Sequence, residues 1–563
     1  MIYHCEDHTC NYWDEGEKLP ERCPQCCRKL LRANEADMTG DDWTALGNTL
    51  WDAEASDKKR MVDCFRKAAY LGSAWGVCNL GICMEQGNGV EADPVQAFWL
   101  YQQAVEMGSL NAVCCLGVCY QYGIGTAPDA KQAAELYCKA AEYGSPRGQM
   151  LLARAFHDGI GVEADAAEAV HWVRAAAYQR YGEGMYRLGV CYEYGDGVEQ
   201  NWEHAVHWFR EAAESGVSVA MTDLGYCYEK GCGVEQSWEQ AFSWYRRGAE
   251  CGNLQSMHNL GCCYEKGRGV EQSWEQAFSW YRRSAECGNP VSMSNLGLCY
   301  QMGYGVEQNW QEAIKWYEQG AQCGDLQSMH NLACCYEHGE GVEQNMTEAI
   351  RWYTAAAEGG NADAMHNLGW HYDHGEGVEQ DMKKAICWYE RAAEQNHPAA
   401  MNSLGECYAM GRGVPRDLET AMEWYRRAAE LGEAMADYNM GWHLEQAGKL
   451  SEAYAHYRKA ADGNDDSAWW ALGRFYENGV VVAQDGKEAR RCYETGEKLG
   501  SVKCKMRLAR CKLLGIGGRR AKKAGLDLCR QALELAKESS EKEDYGYEAE
   551  MNLLRRTIAE NES

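Results

Sequence analysis

The stretch NLQSMHNLGCCYEKGRGVEQSWEQAFSWYRRSAECG, residues 253–288, decides the fold, because its pattern recurs along most of the chain. Its Leu-Gly pair, Leu260-Gly261, returns at multiples of 36 residues. A fixed period of roughly 20–50 residues is typical of a stacked array in which each unit packs on its neighbours. The other copies are Leu80-Gly81, Leu116-Gly117, Leu188-Gly189, Leu224-Gly225, Leu296-Gly297, Leu368-Gly369 and Leu404-Gly405, with variants at Leu152-Ala153, Leu332-Ala333 and Met440-Gly441.

Each copy predicts two helices. Ser256, Leu260 and Tyr264 lie four residues apart, which is the spacing of one face of a helix. Gly267 then ends this first helix, because a helix commonly terminates where glycine adopts a left-handed backbone. Ser273 is a good N-cap for a second helix, which carries its own apolar stripe. We therefore expect pairs of helices of about 12–14 residues each, joined by short glycine-rich turns.

Small residues at fixed positions predict close contacts between these helices. Ser256, four residues before the repeat leucine, and Gly261, directly after it, are both small, and small side chains recur at the equivalent positions. Only a small side chain lets two helices approach closely. We expect Gly261→Leu to overpack such a contact.

The charge of the chain limits its partners. It has 84 acidic and 56 basic residues, a net charge of −28. Nucleic-acid binding depends on Lys/Arg surfaces that neutralise phosphates, so we expect no nucleic-acid partner. An acidic surface favours solubility and a basic protein or peptide partner.

Many of the 29 cysteines occupy one repeat position, three residues after the repeat leucine. Equivalent points of stacked helices lie roughly 8–10 Å apart, whereas a disulfide needs Cα atoms within about 7 Å. We therefore expect free, buried thiols, which suit a reducing cytoplasm. The cysteines at this repeat position are Cys83, Cys119, Cys191, Cys227, Cys263, Cys299, Cys335 and Cys407.

The start of the chain has no apolar run of the kind that signal peptides have, and no window is apolar enough to cross a membrane.

The consensus LGxCYExGxGVEQxxxxAxxWYRxAAExG resembles the Sel-one-like repeat family, which is related to tetratricopeptide repeats, over roughly residues 38–530. The resemblance implies an all-α fold, a right-handed α–α superhelix of about 13 two-helix repeats whose first helices face the concave side. It also implies an adaptor that brings proteins together and is generally not catalytic. We predict a zinc ribbon at residues 1–34, the solenoid at 35–530 and capping helices at 531–563.

The N-terminal segment departs from the repeat and carries four cysteines in two pairs, Cys5 with Cys10 and Cys23 with Cys26. In the CPQC turn, a proline fixes the backbone so that both sulfurs can face one metal ion. The segment resembles a rubredoxin-like zinc ribbon. This resemblance implies a structural zinc held by the four thiolates.

The first pair is spaced by four intervening residues where two are usual, so His8 could replace Cys5 or Cys10 as a ligand. Four thiolates could also hold iron and transfer electrons. Iron is the less favoured alternative, because nothing nearby resembles a site for a redox partner.

A polar stripe can be drawn along the first helices, through the residue before the repeat leucine and the residue five after it. Asparagine side chains offer both a donor and an acceptor to the backbone of an extended peptide. Glutamates on the same stripe would attract a basic or polar peptide. The alternative is that these residues are merely habitual in the repeat. The predicted groove residues are Asn259, Asn295, Asn331, Asn367, Glu229, Glu265 and Glu337.

Catalysis has little support in the sequence. His258 and Cys262 are four residues apart on one helical face, as are His330 and Cys334, and such a pair could activate a thiolate. Duplication of one repeat explains the recurrence, and no third group to orient the histidine is evident. We predict a cytoplasmic, non-enzymatic scaffold for proteins or peptides; the alternative is a metal–thiolate redox protein or enzyme that uses the N-terminal cysteines.

Overall fold

The computed structural model describes residues 2–5, 13–15, 30–33, 38–51, 55–542 and 548–562. Three short strands come first, β1 (Ile2–Cys5), β2 (Trp13–Glu15) and β3 (Leu30–Ala33). They form an antiparallel sheet in the order β2-β1-β3. Cys10, Cys23, Cys26 and His8 lie outside the described residues, and only the position of Cys5 at the end of β1 is described. The zinc site therefore stays a prediction.

The remaining regular elements of the described residues are helices, and the chain divides into two compact units, Met1–Asn289 and Pro290–Ser563. The helices of the first unit are α1 (Gly40–Thr49), α2 (Ala55–Tyr70), α3 (Ala74–Gln86), α4 (Pro94–Glu106), α5 (Leu110–Tyr122), α6 (Ala130–Glu142), α7 (Pro146–Asp158), α8 (Ala166–Tyr178), α9 (Gly182–Tyr194), α10 (Trp202–Glu214), α11 (Ser218–Lys230), α12 (Trp238–Glu250), α13 (Leu254–Lys266) and α14 (Trp274–Glu286). Those of the second unit are α15 (Pro290–Met302), α16 (Trp310–Gln322), α17 (Leu326–His338), α18 (Met346–Gly359), α19 (Ala362–His374), α20 (Met382–Glu394), α21 (Pro398–Met410), α22 (Leu418–Glu430), α23 (Ala434–Gln446), α24 (Leu450–Asp462), α25 (Asp466–Asn478), α26 (Gly486–Lys498), α27 (Val502–Leu514), α28 (Lys522–Lys542) and α29 (Glu548–Glu562).

Consecutive helices pack in pairs, from α1 with α2 to α27 with α28, and within each unit each pair packs on the next. The helices α13 and α14 have 13 residues each, so the predicted helix pair of residues 253–288 is confirmed. Ser273 accepts a hydrogen bond from the backbone N–H of Gln276, which confirms the predicted N-cap. The fold is thus an array of α–α pairs; its right-handed twist stays a prediction.

Within a pair, the glycine after the repeat leucine faces the ring of a buried tyrosine. A Cβ placed on Gly261 would lie 2.5 Å from Cε1 of Tyr281, which is fully buried on α14. The close approach predicted from the small residue is therefore confirmed. In α7 the glycine is replaced by Ala153, and the facing position on α8 holds Val173, so a larger residue on one helix meets a smaller one on the other.

Between pairs, the small residue four before the repeat leucine makes the contact. Ser256 on α13 is fully buried, and a Cβ on Gly248 of α12 would lie 2.2 Å from its Oγ. The Ser256 hydroxyl is also 2.6 Å from the hydroxyl of Thr222 on α11. A buried hydroxyl with a hydrogen-bond partner avoids the cost of desolvation without compensation. The prediction of a close helix approach at this position is confirmed.

The turn that follows each first helix explains the Gly-x-Gly-Val-Glu-Gln motif. Gly267 ends α13 in a left-handed conformation, with φ of 64°. Gly269 has φ of +71°, and a Cβ there would lie 2.1 Å from the backbone oxygen of Trp238 in the preceding pair. The Gln272 amide donates to the backbone oxygen of Glu265 at 2.8 Å and satisfies a carbonyl at the end of α13. The motif therefore ends one helix and fits the turn against the neighbouring pair.

The cysteines whose side chains the structure describes are all free, as the spacing predicted. Most of those three residues after the repeat leucine are buried, and burial raises the pKa of the Cys263 thiol to about 12. These thiols act as small apolar core residues.

Among the described residues, no helix combines the length and the hydropathy needed to cross a membrane.

Candidate functional site

We call the first-helix face the set of side chains one before, two after and five after the repeat leucine on the first helix of each pair. On α13 these are Asn259, Cys262 and Glu265, all of which are half-buried. The core positions between them are filled by Leu260 and Cys263, which are buried. The first-helix face is therefore held by the core but remains accessible to solvent. Each unit has its own first-helix face.

The three predicted glutamates are held by tyrosines of the same pair. Each accepts a hydrogen bond from the tyrosine 16 residues later, a contact that the sequence analysis missed although both residues recur at that spacing. The distances from hydroxyl to carboxylate are 2.9 Å for Tyr245 and Glu229, 2.5 Å for Tyr281 and Glu265, and 2.5 Å for Tyr353 and Glu337. Tyr101 donates to Glu85, Tyr137 to Gln121, Tyr317 to Gln301 and Tyr493 to Glu477 in the same way.

These bonds fix the carboxylates and use part of their hydrogen-bonding capacity. Burial raises the pKa of Tyr281, so its hydroxyl keeps the proton that it donates. Burial also acts to raise the pKa of Glu337, but the imidazole of His371, whose Nε2 lies 3.7 Å from the carboxylate, and the hydrogen bond from Tyr353 outweigh it and leave that pKa below its ordinary value. Glu337 is therefore negative at neutral pH, and it lies with a fixed orientation near the end of α17.

Three of the predicted asparagines are oriented by neighbouring side chains, two on the same helix and one on another. The Gln255 amide donates to Oδ1 of Asn259 at 2.9 Å, and the Gln327 amide donates to Oδ1 of Asn331 at 2.9 Å. The amide nitrogen of Asn367 lies 3.2 Å from Nε2 of His330, so α19 and α17 are linked across the face. Asn295 is half-buried on α15.

Histidines that the sequence analysis did not assign to the site lie beside the first-helix face of the second unit. The rings of His366 and His397 stack with their centroids 5.1 Å apart, and His397 Nε2 lies 3.0 Å from Asp363. The signal was present, since His330 and His366 are 36 residues apart, each two residues before a repeat leucine. Within the described residues, no group of three or more histidine, cysteine or acidic side chains is arranged to hold a metal ion.

His366 makes the stability of the second unit depend on pH. Burial, together with the nearby His397, lowers its pKa to about 4, and Asp363 acts in the opposite direction. Because the pKa in the unfolded chain is about 6.5, the unfolded state binds more protons between these values, so stability is fully present above pH 6.5 and is lost as pH falls towards 4. Between pH 7 and pH 4, we expect the free energy of unfolding of the unaltered chain to fall by up to about 3 kcal/mol because of this histidine. His366→Phe keeps a ring but cannot titrate, so this part of the fall should be absent from it.

Urea unfolding at several pH values measures the free energy of unfolding of both chains. Native-state hydrogen exchange of α19–α21 shows whether the difference is located around His366. His338→Phe, at an exposed position on α17, is the matched control and is expected to follow the unaltered chain. Parallel pH profiles for His366→Phe and the unaltered chain would contradict the assignment.

The two histidine–cysteine pairs do not form activated thiolates. Cys262 Sγ lies 3.5 Å from His258 Nε2 and 3.3 Å from the Tyr281 hydroxyl. Burial raises the pKa of Cys262, and burial likewise raises that of Cys334. A thiol with a raised pKa keeps its proton at neutral pH and is a poor nucleophile. Cys262 and Cys334 are therefore half-buried residues of the first-helix face, next to the buried His258 and the half-buried His330.

The Sel1 repeat profile matches twelve consecutive segments, 76–109, 112–145, 146–181, 182–217, 218–253, 254–289, 290–325, 326–361, 362–397, 398–433, 434–465 and 468–501. No curated protein matches. A protective antigen of uropathogenic Escherichia coli that displays an SLR fold is 29% identical, with a TM-score of 0.54 over 76% of this chain and 94% of that one. A Sel1 repeat protein from Oxalobacter formigenes is 31% identical, with a TM-score of 0.41 over 43% of this chain and 96% of that one. Since the matched segments cover well over half of its length, the chain belongs to the Sel1 repeat family.

Proposed function

We propose that this chain is a non-enzymatic scaffold that binds protein partners or extended peptides along its first-helix faces. Helical repeat arrays of this kind are typical of protein–protein interaction scaffolds. The observation that carries the proposal is the contrast between the two sets of positions. The core positions mostly repeat the same leucine, cysteine and tyrosine, whereas the side chains of the face differ between repeats and include polar groups, such as Asn259 and Glu265, that are oriented by neighbours.

Within each unit, the first-helix face suits a basic or polar peptide. Asn259 and Asn331 each have the side-chain oxygen engaged by a glutamine, so their amide nitrogens can donate to the backbone of a peptide. Glu265 and Glu337 add negative charge in fixed positions. A fixed donor or acceptor loses little conformational freedom on binding, which favours affinity.

We expect the triple variant Asn259→Ala/Asn295→Ala/Asn331→Ala to lose capture of partners, because it removes amide donors from three successive first helices. The measurement is quantitative affinity purification from cells that make the protein, compared with the unaltered chain. Circular dichroism checks that helix content is kept.

The matched control is Arg246→Ala/Arg282→Ala/Lys315→Ala, which alters three exposed side chains on the neighbouring second helices α12, α14 and α16. It is expected to retain the partners. If the triple asparagine variant captures the same proteins as the unaltered chain, the face is not the binding surface.

We also propose that Cys5, Cys10, Cys23 and Cys26 bind a structural zinc ion. The support is their spacing, together with the three-stranded sheet: Cys10 lies between β1 and β2 in sequence, and the CPQC turn lies between β2 and β3. A site closed by four protein ligands leaves no open position for substrate and is structural. The zinc ion would hold the N-terminal segment together.

Elemental analysis of the untagged, full-length chain is expected to find about one zinc per chain. Cys23→Ser/Cys26→Ser should abolish it, whereas Cys251→Ser/Cys287→Ser, at two exposed cysteines of the array, should not. A red sample that contains iron would favour electron transfer instead. A sample without metal would contradict the site.

A further inference from the structure

A cavity of about 740 Å³ opens between α7 and α9 in the first unit, with α8 behind it. Its volume lies in the range of sites that bind small molecules or peptide side chains, roughly 300–1,000 Å³. It includes first-helix face positions, since Leu151, Arg154 and His157 of α7 and Arg187 and Val190 of α9 line it. Here the face carries basic and apolar side chains in place of the asparagine and glutamate of α13.

The cavity coincides with a departure from the repeat. The position of the buried core tyrosine is occupied on α8 by Val173, which lines the cavity. In pairs such as α13/α14 and α15/α16 that tyrosine ring packs on the first helix, and its hydroxyl donates to a glutamate or glutamine of the face. Here both the ring and its hydrogen bond are missing, and Met150, Val170 and Val190 add apolar wall. The cavity therefore exists because Val173 leaves the space that a tyrosine ring would fill.

Two guanidinium groups in this cavity lack a carboxylate partner. Arg147 donates to the Asn111 side-chain oxygen at 2.6 Å and lies 3.6 Å from the Cys115 sulfur. Arg187 forms neither a hydrogen bond nor an ion pair with any part of the chain that the structure describes. In a chain with a net charge of −28, such arginines are available to an acidic ligand.

The carboxylates of the cavity are mostly engaged elsewhere. Asp158 pairs with Arg154 at 3.3 Å and with His157 at 2.7 Å, and His157 also reaches Asp196 at 3.2 Å. These acidic groups lie at the carboxyl ends of α7 and α9, whereas Arg147 lies at the start of α7. Glu183, the remaining acidic group, accepts a long hydrogen bond from Tyr181. The carboxylates of Asp158 and Asp196 therefore lie at the opposite end of the cavity from Arg147, whereas Arg187 lies in the middle of α9 and Glu183 near its start.

We propose that this cavity binds an acidic segment of a partner protein that carries an apolar side chain beside its carboxylates. The inference rests on the proposed scaffold function and assigns one site of it. Arg147 and Arg187 would bind the carboxylates, since charge-assisted bonds between guanidinium and carboxylate groups are strong and directional. The apolar side chain would pack against Val170, Val173 and Val190. This site would bind a negatively charged ligand, whereas the net negative charge of the whole chain favours a positively charged partner.

The test is selection of a random peptide library displayed on phage against the full-length chain, followed by binding of the enriched peptides measured by fluorescence anisotropy. We expect enrichment of aspartate or glutamate next to leucine, isoleucine or phenylalanine. Arg147→Gln/Arg187→Gln should weaken binding of these peptides at least about tenfold, because two charge-assisted contacts are removed. Arg246→Gln, on the exposed side of α12, is the matched control and should bind as the unaltered chain does.

Val173→Tyr supplies a second, steric test. It introduces the residue that most other pairs hold at this position, so the fold is expected to accept it while the ring fills the cavity. Binding should be lost with both arginines still present. Peptides that are not acidic, or that bind both variants as well as the unaltered chain, would overturn the assignment. If those peptides instead depend on Asn259, Asn295 and Asn331, the scaffold function stands without this site; failure to enrich any peptide would overturn the site, and partner capture would then decide the function.

Discussion

Gly269→Ala is expected to destabilise the pairs on both sides of its turn by about 2–4 kcal/mol, because the left-handed backbone and the close contact both oppose a side chain. The left-handed conformation alone costs a non-glycine residue roughly 1–2 kcal/mol. The added Cβ would also lie 2.1 Å from the Trp238 backbone oxygen, which cannot move without shifting α12. Native-state hydrogen exchange of α12–α14 in the full-length chain measures the loss locally, which matters because long arrays need not unfold in one step.

The matched control separates the two causes. Gly252 also has a positive φ, +84°, but a Cβ there would meet nothing within 4 Å. Gly252→Ala should therefore lower the free energy of unfolding only by the cost of the left-handed backbone, about 1–2 kcal/mol. Equal losses for the two variants would show that the turn does not pack against the preceding pair as described.

Gly261→Leu is expected to cost roughly 3 kcal/mol or more, because its side chain must occupy the space of the Tyr281 ring. Gly261→Ala should cost much less. The chain already has Ala333 at the equivalent position facing Tyr353, so a small helix shift can accommodate one methyl group. Urea unfolding combined with hydrogen exchange in α13–α14 measures both variants. A leucine variant as stable as the alanine variant would contradict the packing of tyrosine on glycine.

The fold was predictable from the sequence because one pattern, repeated many times, specifies the same local structure each time. Ser256, Gly261 and Ser273 indicated the contact between pairs, the contact within a pair and the N-cap, and the structure places all three as predicted. Periodicity and capping chemistry are local signals, so they can be interpreted without knowledge of the tertiary structure.

The details of the site were less predictable, since they depend on contacts between helices. The hydrogen bond from Tyr281 to Glu265 joins residues that are 16 apart in the sequence. Whether the two side chains meet depends on how α13 and α14 are rotated relative to each other, which the sequence pattern does not specify. The cavity with Arg147 and Arg187 was missed for a different reason. A consensus emphasises what repeats share, whereas this cavity exists where one pair departs from the others. The predicted metal ligands lie in a segment of which only short strands are described.

The most direct test of the central claim, that the first-helix faces are the binding surface, is site-specific photo-crosslinking in cells that make the protein. A photoreactive phenylalanine analogue is introduced at Asn259 or Asn331 on first helices, or at Arg246 or Lys315 on second helices, and crosslinked proteins are identified by mass spectrometry. The account predicts that the same partner proteins are crosslinked from Asn259 and Asn331 and not from the second-helix positions. Crosslinks that come from Arg246 and Lys315 while Asn259 and Asn331 give none would contradict it.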